Sequence, residues 1–137
     1  MHEMQEAPVI IVAEDDPDIG FLVCHELRRG KTWTVSHFLE GRSALTRMQK
    51  EPRPVALVTD LDMPVMNGFD LIGELRRDAR FDEMPIVVFS SSVDPADERR
   101  CGELRVNEFV RKGLPLPELR ARLQGIIGTT FAREATC

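Results

Sequence analysis

The chain has 137 residues, 42% hydrophobic and 30% charged, with a formal net charge of −5. That length fits one domain. The apolar fraction supports a packed core and argues against disorder, and the acidic balance argues against a general phosphate-backbone binder, which needs a basic face. Cys24, Cys101 and Cys137 stand far apart without a C-x-x-C pair, so they give neither a zinc site nor an even disulfide set, and a reduced compartment fits. The opening MHEMQEAP has two glutamates and no apolar core, unlike a signal peptide, and no apolar run approaches the roughly 18 residues of a membrane span. The expectation is a cytoplasmic protein with a tail over 1–8, one domain over 9–127 and a second tail over 128–137.

Residues 8–13, PVIIVA, are continuously apolar, the pattern of a strand buried on both faces. Ile19, Leu22, Val23 and Leu27 follow as a helical stripe that Gly30 closes. Residues 32–38 alternate like a strand; residues 41–50 are helical and are broken by EPRP. Residues 55–59, VALVT, form a second buried-type strand, and Phe69, Ile72 and Leu75 mark a helix to about Asp78. Residues 85–90, PIVVFS, make the fourth strand. Asp94 and Pro95 read as the N-cap and first position of a helix reaching about Gly102. Residues 107–112 form a more polar fifth strand, and Leu116, Leu119, Leu123, Ile126 and Ile127 give one face of a last helix. Strict alternation of strands and helices predicts an α/β fold with a five-stranded parallel sheet and helices on both faces.

In such sheets the ligand site lies beyond the carboxyl ends of the strands. Strand one is followed by Glu14, Asp15 and Asp16, strand three by Asp60 and Asp62, strand four by Ser90, Ser91 and Ser92, and strand five by Arg111 and Lys112. With the strand order 2-1-3-4-5 taken as a premise, several carboxylates, a hydroxyl and an ammonium share one crevice. Clustered carboxylates disfavour one another's ionised forms, and a divalent cation relieves that. Oxygen ligands suit Mg²⁺, which keeps waters and takes phosphate as co-ligand. A lysine offers a positive charge to a phosphoryl oxygen, a hydroxyl donates to another, and a carboxylate can be the nucleophile. Asp16 before Pro17 reads more simply as a helix N-cap.

The motifs VAEDD, VTDLDMPVMNGFDLI, VFSSS and EFVRKG together resemble the receiver domain of two-component response regulators, in its stand-alone, CheY-like form, over residues 9–127. The resemblance implies the flavodoxin-like (βα)5 fold and a set of roles. Asp60 matches the phospho-acceptor. Glu14 and Asp15 match the acid pair that binds Mg²⁺, Asp15 directly and Glu14 through water. The backbone carbonyl of Asp62 matches a third protein ligand, with Asp60 itself completing the set. Ser90 and Lys112 match the groups that stabilise the phosphoryl, and Ser90 and Phe109 the residues that switch. Ser91 matches the small residue that leaves space for the phosphate.

The same resemblance implies a phosphorylation-activated signalling switch, not a turnover enzyme. The implied donor is a sensor histidine kinase or histidine phosphotransfer protein. The implied output is a protein partner on the face of helix four, strand five and helix five, near Arg99, Arg100, Arg105 and Arg111. Neither direct DNA binding nor membrane association is expected, and the chain is expected to be a monomer or weak dimer. Only residues 128–137 follow the domain, so the output is expected to be a protein contact. Two departures stand out: Gly113 follows Lys112 where the family has proline, and Arg105 sits where a glycine is common. A cis bond before a non-proline residue costs about 2.5–4 kcal/mol, so the bond after Lys112 is expected to be trans, with Gly113 absorbing the turn. Two other readings remain: a phosphorylation-independent pseudo-receiver, and an Mg²⁺-dependent aspartate-nucleophile phosphatase using Asp62 as general acid/base.

Overall fold

The structure is a computed structural model that describes residues 7–30 and 33–136. Most of the expected N-terminal tail, the expected start of the second strand at Thr32, and Cys137 lie outside those residues. The elements alternate as the sequence predicts: β1 (Val9–Ala13), α1 (Pro17–Arg28), β2 (Thr34–Phe38), α2 (Gly41–Met48), β3 (Ala56–Thr59), α3 (Gly68–Arg76), β4 (Ile86–Ser90), α4 (Pro95–Glu103), β5 (Glu108–Arg111) and α5 (Leu116–Thr136). A short 3-10 turn, Ala79–Phe81, is additional.

All strand pairs are parallel, in the order β2-β1-β3-β4-β5. The three central strands are buried at every position, whereas the edge strands β2 and β5 are only partly buried. This is why VIIVA, ALVT and IVVFS read as unbroken apolar runs and the edge strands do not. One layer packs Ile11, Leu57, Ile86 and Val88 against α2, α3 and Cys101 of α4. The other packs Ile10, Val12, Val58 and Val87 against α1 and α5.

Local chemistry sets the helix starts. Asp16 accepts from the amides of Asp18 and Ile19, with Pro17 at the first position of α1, as its N-cap reading required. Asp94 caps α4 by accepting from the Ala96 amide. Asn67 and Asp70 form a reciprocal capping box on α3.

Residues 128–136, expected to be a tail, continue α5 instead. The segment contains no proline, so nothing in it stops the ladder. Among the described residues the one cis peptide is Glu51-Pro52, so the bond after Lys112 is trans and Gly113 takes φ 111°, as expected. Arg105 takes a left-handed conformation, at φ 59°, despite its side chain.

Arg76, which sequence reasoning passed over, secures that turn. Its guanidinium donates to the carbonyls of Leu104 and Arg105, and to those of Phe81 and Met84. Burial lowers its pKa, but an arginine stays charged in proteins, so it remains a donor only. Glu26, buried on α1, pairs with Arg120 of α5 at 2.9 Å and so ties the two helices of one layer together.

Candidate functional site

The carboxyl edge of the sheet gathers the site. Asp60 follows β3 directly, and its amide still donates to Ala13 at 2.9 Å, so the ladder between β1 and β3 fixes its backbone. Asp60 is 5% exposed, and one of its carboxylate oxygens accepts from the Leu61 amide at 2.7 Å. The other oxygen meets Lys112 Nζ at 2.9 Å. Lys112 also reaches Glu14 at 2.8 Å, so one ammonium bridges the acids that follow β1 and β3.

Glu14, Asp15 and Asp60 each place a carboxylate oxygen within 4.8 Å of the others. Asp15 is exposed, and Glu14 is buried. Burial pushes the Glu14 carboxyl up to about 7, against the lowering effect of hydrogen bonds to Lys112 and from the Asp16 amide, while the charge of Asp60 adds to the rise. Burial alone would lower the Lys112 pKa, but hydrogen bonds to Glu14 and Asp60 outweigh it and the net direction is upward. Oxygen donors converging with excess negative charge are a donor set suited to a hard divalent cation.

Ser90, at the end of β4, is fully buried, and its hydroxyl oxygen accepts from the Ser92 amide at 3.1 Å. Lys112 reaches the site because its own amide continues the sheet, donating to the Ser90 carbonyl at 2.8 Å. Asp62 behaves differently from Asp60. Its side chain is exposed and takes no part in the acidic cluster. Phe109 is half-buried against the layer that contains α2, α3 and α4. Arg99 and Arg111 are exposed, and Arg111 pairs with Glu98 at 3.6 Å. Arg100 does not join them on the expected partner face: its guanidinium lies 4.2 Å from the Phe69 ring centre, toward α3. An arginine that finds an aromatic face is drawn to it.

Two close approaches had no clear signal in the sequence. A Cβ on Gly68 would stand 2.2 Å from the Asp60 carbonyl oxygen and 2.8 Å from Leu61 Cα. The glycine of the Asn-Gly pair therefore serves the Asp60 backbone as well as the helix start. On the other flank, His37 at the end of β2 has a ring nitrogen 2.7 Å from the Glu14 carbonyl oxygen. A Cβ on Gly20 would come within 2.0 Å of that imidazole. Strand two supplied no acidic cluster, so only the packed structure brings His37 to the site.

A parallel α/β sheet with a buried aspartate, an acid pair, a hydroxyl and a lysine along one edge defines the class of phospho-acceptor switches. The chain matches the response regulator receiver domain model over residues 10–124 and belongs to that family. It is 31% identical over 130 residues to the sensor histidine kinase TmoS of Ectopseudomonas mendocina, covering 95% of this chain and 13% of the kinase. It is 27% identical over 120 residues to the chemotaxis protein CheY1 of Helicobacter pylori, covering 88% of this chain and 97% of that protein. Among solved structures it resembles the phosphorylated cyanobacterial phytochrome response regulator RcpA, with TM-score 0.73 and 25% identity over 87% of this chain and 90% of that one. The chain is thus a receiver domain of two-component systems, a phosphorylation-dependent signalling switch rather than a turnover enzyme.

Proposed function

We propose that Asp60 accepts a phosphoryl group from the phosphohistidine of a sensor histidine kinase or histidine phosphotransfer protein. The observation that carries this reading is the buried Asp60 carboxylate held 2.9 Å from Lys112 at the meeting point of three acids. A carboxylate oxygen of Asp60 attacks phosphorus, the P–N bond to the donor imidazole breaks, and the imidazole nitrogen keeps the electron pair and takes up a proton. Lys112, already poised between Asp60 and Glu14, turns its ammonium to the phosphoryl oxygens. Ser90 donates its hydroxyl to another of those oxygens. Glu14, Asp15, Asp60 and the Asp62 carbonyl would hold Mg²⁺, which when bound supplies positive charge to the transferring group.

The new group carries about −2 charge, and Ser90 and Phe109 answer it by a shift between two packings of one fold. The output partner binds the face of α4, β5 and α5, which the Arg111–Glu98 and Arg122–Glu108 pairs cross. The exposed position of Asp62, outside the acidic cluster, speaks against its acting as the general acid of a phosphatase.

The donor docks on the rim around Asp60. The exposed large apolar residues among those described are Phe21, Leu22, Leu39, Val65, Val93 and Leu114. Phe21 and Leu22 lie in the first half of α1, and the other four lie one each in the loops that follow β2, β3, β4 and β5. A broken ring of apolar contacts about a charged centre excludes water from the transfer without needing charge of its own.

Beryllofluoride with Mg²⁺ tests the switch. Wild type should show amide shifts in β4, α4 and β5, and Asp60→Asn should show none. Equal shifts in both proteins, or none in wild type, refute the reading.

A further inference from the structure

Helix α4 is weakly held. Of its nine residues, Pro95–Glu103, only Cys101 is buried. The Cys101 thiol is pushed up to about 11 by burial and by the charges of Asp97 and Glu98, so it stays a neutral packing group. The carboxyl end of α4 is pinned where Arg76 grips the Leu104 carbonyl at 3.0 Å. Along its length α4 has the Arg100 contact with Phe69 and the exposed Glu98–Arg111 pair. Its amino end has one strong tie: the Ser92 hydroxyl donates to the Asp97 carboxylate at 2.6 Å. The same hydroxyl oxygen accepts from the Asp94 amide at 3.2 Å.

Ser92 has a second connection, back toward the phospho-acceptor. Its amide donates to the Ser90 hydroxyl oxygen at 3.1 Å. One residue therefore joins the buried hydroxyl at the end of β4 to the first turns of α4. Short hydrogen bonds to a carboxylate are the strong kind, whereas the amide bond to a neutral hydroxyl is the weaker partner in the chain.

The geometry points to Ser92 as the positioning residue that latches α4 in the resting state and senses Ser90. This rests on the reading of Ser90 as the hydroxyl that moves to the phosphoryl group. When Ser90 turns toward a phosphoryl oxygen on Asp60, its oxygen leaves the Ser92 amide. An amide without a partner in a half-buried loop moves to find one. The Ser92 hydroxyl is carried off Asp97, and the amino end of α4 swings free while Arg76 holds the other end. The path uses only hydrogen bonds exchanged between named atoms, and it delivers the change to the helix that borders the proposed output face.

Hydrogen exchange on the full chain tests this in wild type, Ser92→Ala and Ser92→Thr. Without phosphate or analogue, Ser92→Ala should exchange its α4 amides about tenfold faster than wild type, the loss of one charge-assisted bond. Amides of the core strands, such as Val58 and Val87, should keep their wild-type rates, which separates the latch from general destabilisation. Ser92→Thr retains the hydroxyl and should behave as wild type. Beryllofluoride with Mg²⁺ should then speed α4 exchange in wild type and add little in Ser92→Ala. Equal α4 rates in resting wild type and Ser92→Ala overturn the latch, as does acceleration spread evenly over the core strands or shared by Ser92→Thr. If wild type ignores the analogue altogether, the switch reading and the coupling to Ser90 fall together, while the resting comparison still judges the latch by itself.

Discussion

Glu14→Gln removes a group whose ionisation works against the fold. Glu14 is 2% exposed, and burial holds its pKa at about 7 rather than 4.5. Because the folded value lies above the unfolded one, the folded protein binds the extra proton between the two. The contribution of Glu14 to the stability of the metal-free protein therefore falls as pH rises from about 4.5 through about 7. At about 1.4 kcal/mol per pH unit, the full window is worth about 3 kcal/mol. That corresponds to a Tm difference on the order of 10 °C for a domain of this size.

The assay is thermal unfolding in chelator, from about pH 5 to about pH 8, on wild type and Glu14→Gln. The variant carries every other titrating group, so the difference between the curves reports Glu14 together with its coupling to Lys112 and Asp60. Wild type should lose ground to the variant steadily across the window. Saturating Mg²⁺ should flatten the wild-type curve, because a cation favours the ionised carboxylate, and calorimetry below pH 7 should detect proton release on binding. A difference that stays constant with pH refutes the burial argument. Mg²⁺ binding with no proton uptake or release in that range refutes the place given to Glu14 in the cation site.

Two further substitutions probe how the site is held. Gly68→Ala forces a methyl group against the Asp60 carbonyl, where the glycine leaves only 2.2 Å. It should cost about 2 kcal/mol and slow acetyl phosphate labelling of Asp60; an unchanged Tm would show that the α3 start yields freely. Arg76→Met keeps the aliphatic stem but removes a donor from four carbonyls, of which Phe81 keeps the Met84 amide at 3.3 Å. Urea unfolding should show a loss of about 2–4 kcal/mol, and a loss below about 0.5 kcal/mol would mean water replaces the guanidinium.

Much of this protein was legible before folding because its decisive signals are local. Unbroken apolar runs mark strands covered on both faces, so VIIVA and ALVT announced buried strands. Asp16 and Asp94 announced helix starts through the amides that each can reach within a turn. The trans bond after Lys112 followed from the cost of cis before glycine, and the φ of 111° at Gly113 is the local consequence. The end of α5 lay beyond the apolar stripe that marked the helix, and the ladder runs on past that stripe.

What only the tertiary structure decided are the meetings across long stretches of chain. Lys112 bridges Glu14 and Asp60 because β1, β3, β4 and β5 lie side by side in register. His37 comes to Glu14, and Arg100 turns from the expected face to Phe69, because packing chose among partners that the sequence left equal. The pKa of Glu14 belongs to the same group: apart from the Asp16 amide next to it in EDD, it is fixed by burial, Lys112 and Asp60, which only the fold brings together. The stretch VTDLDMPVMNG by itself distinguishes its two acids only by place in the motif. The folded chain separates them physically: Asp60 is buried against a lysine, and Asp62 stands in solvent.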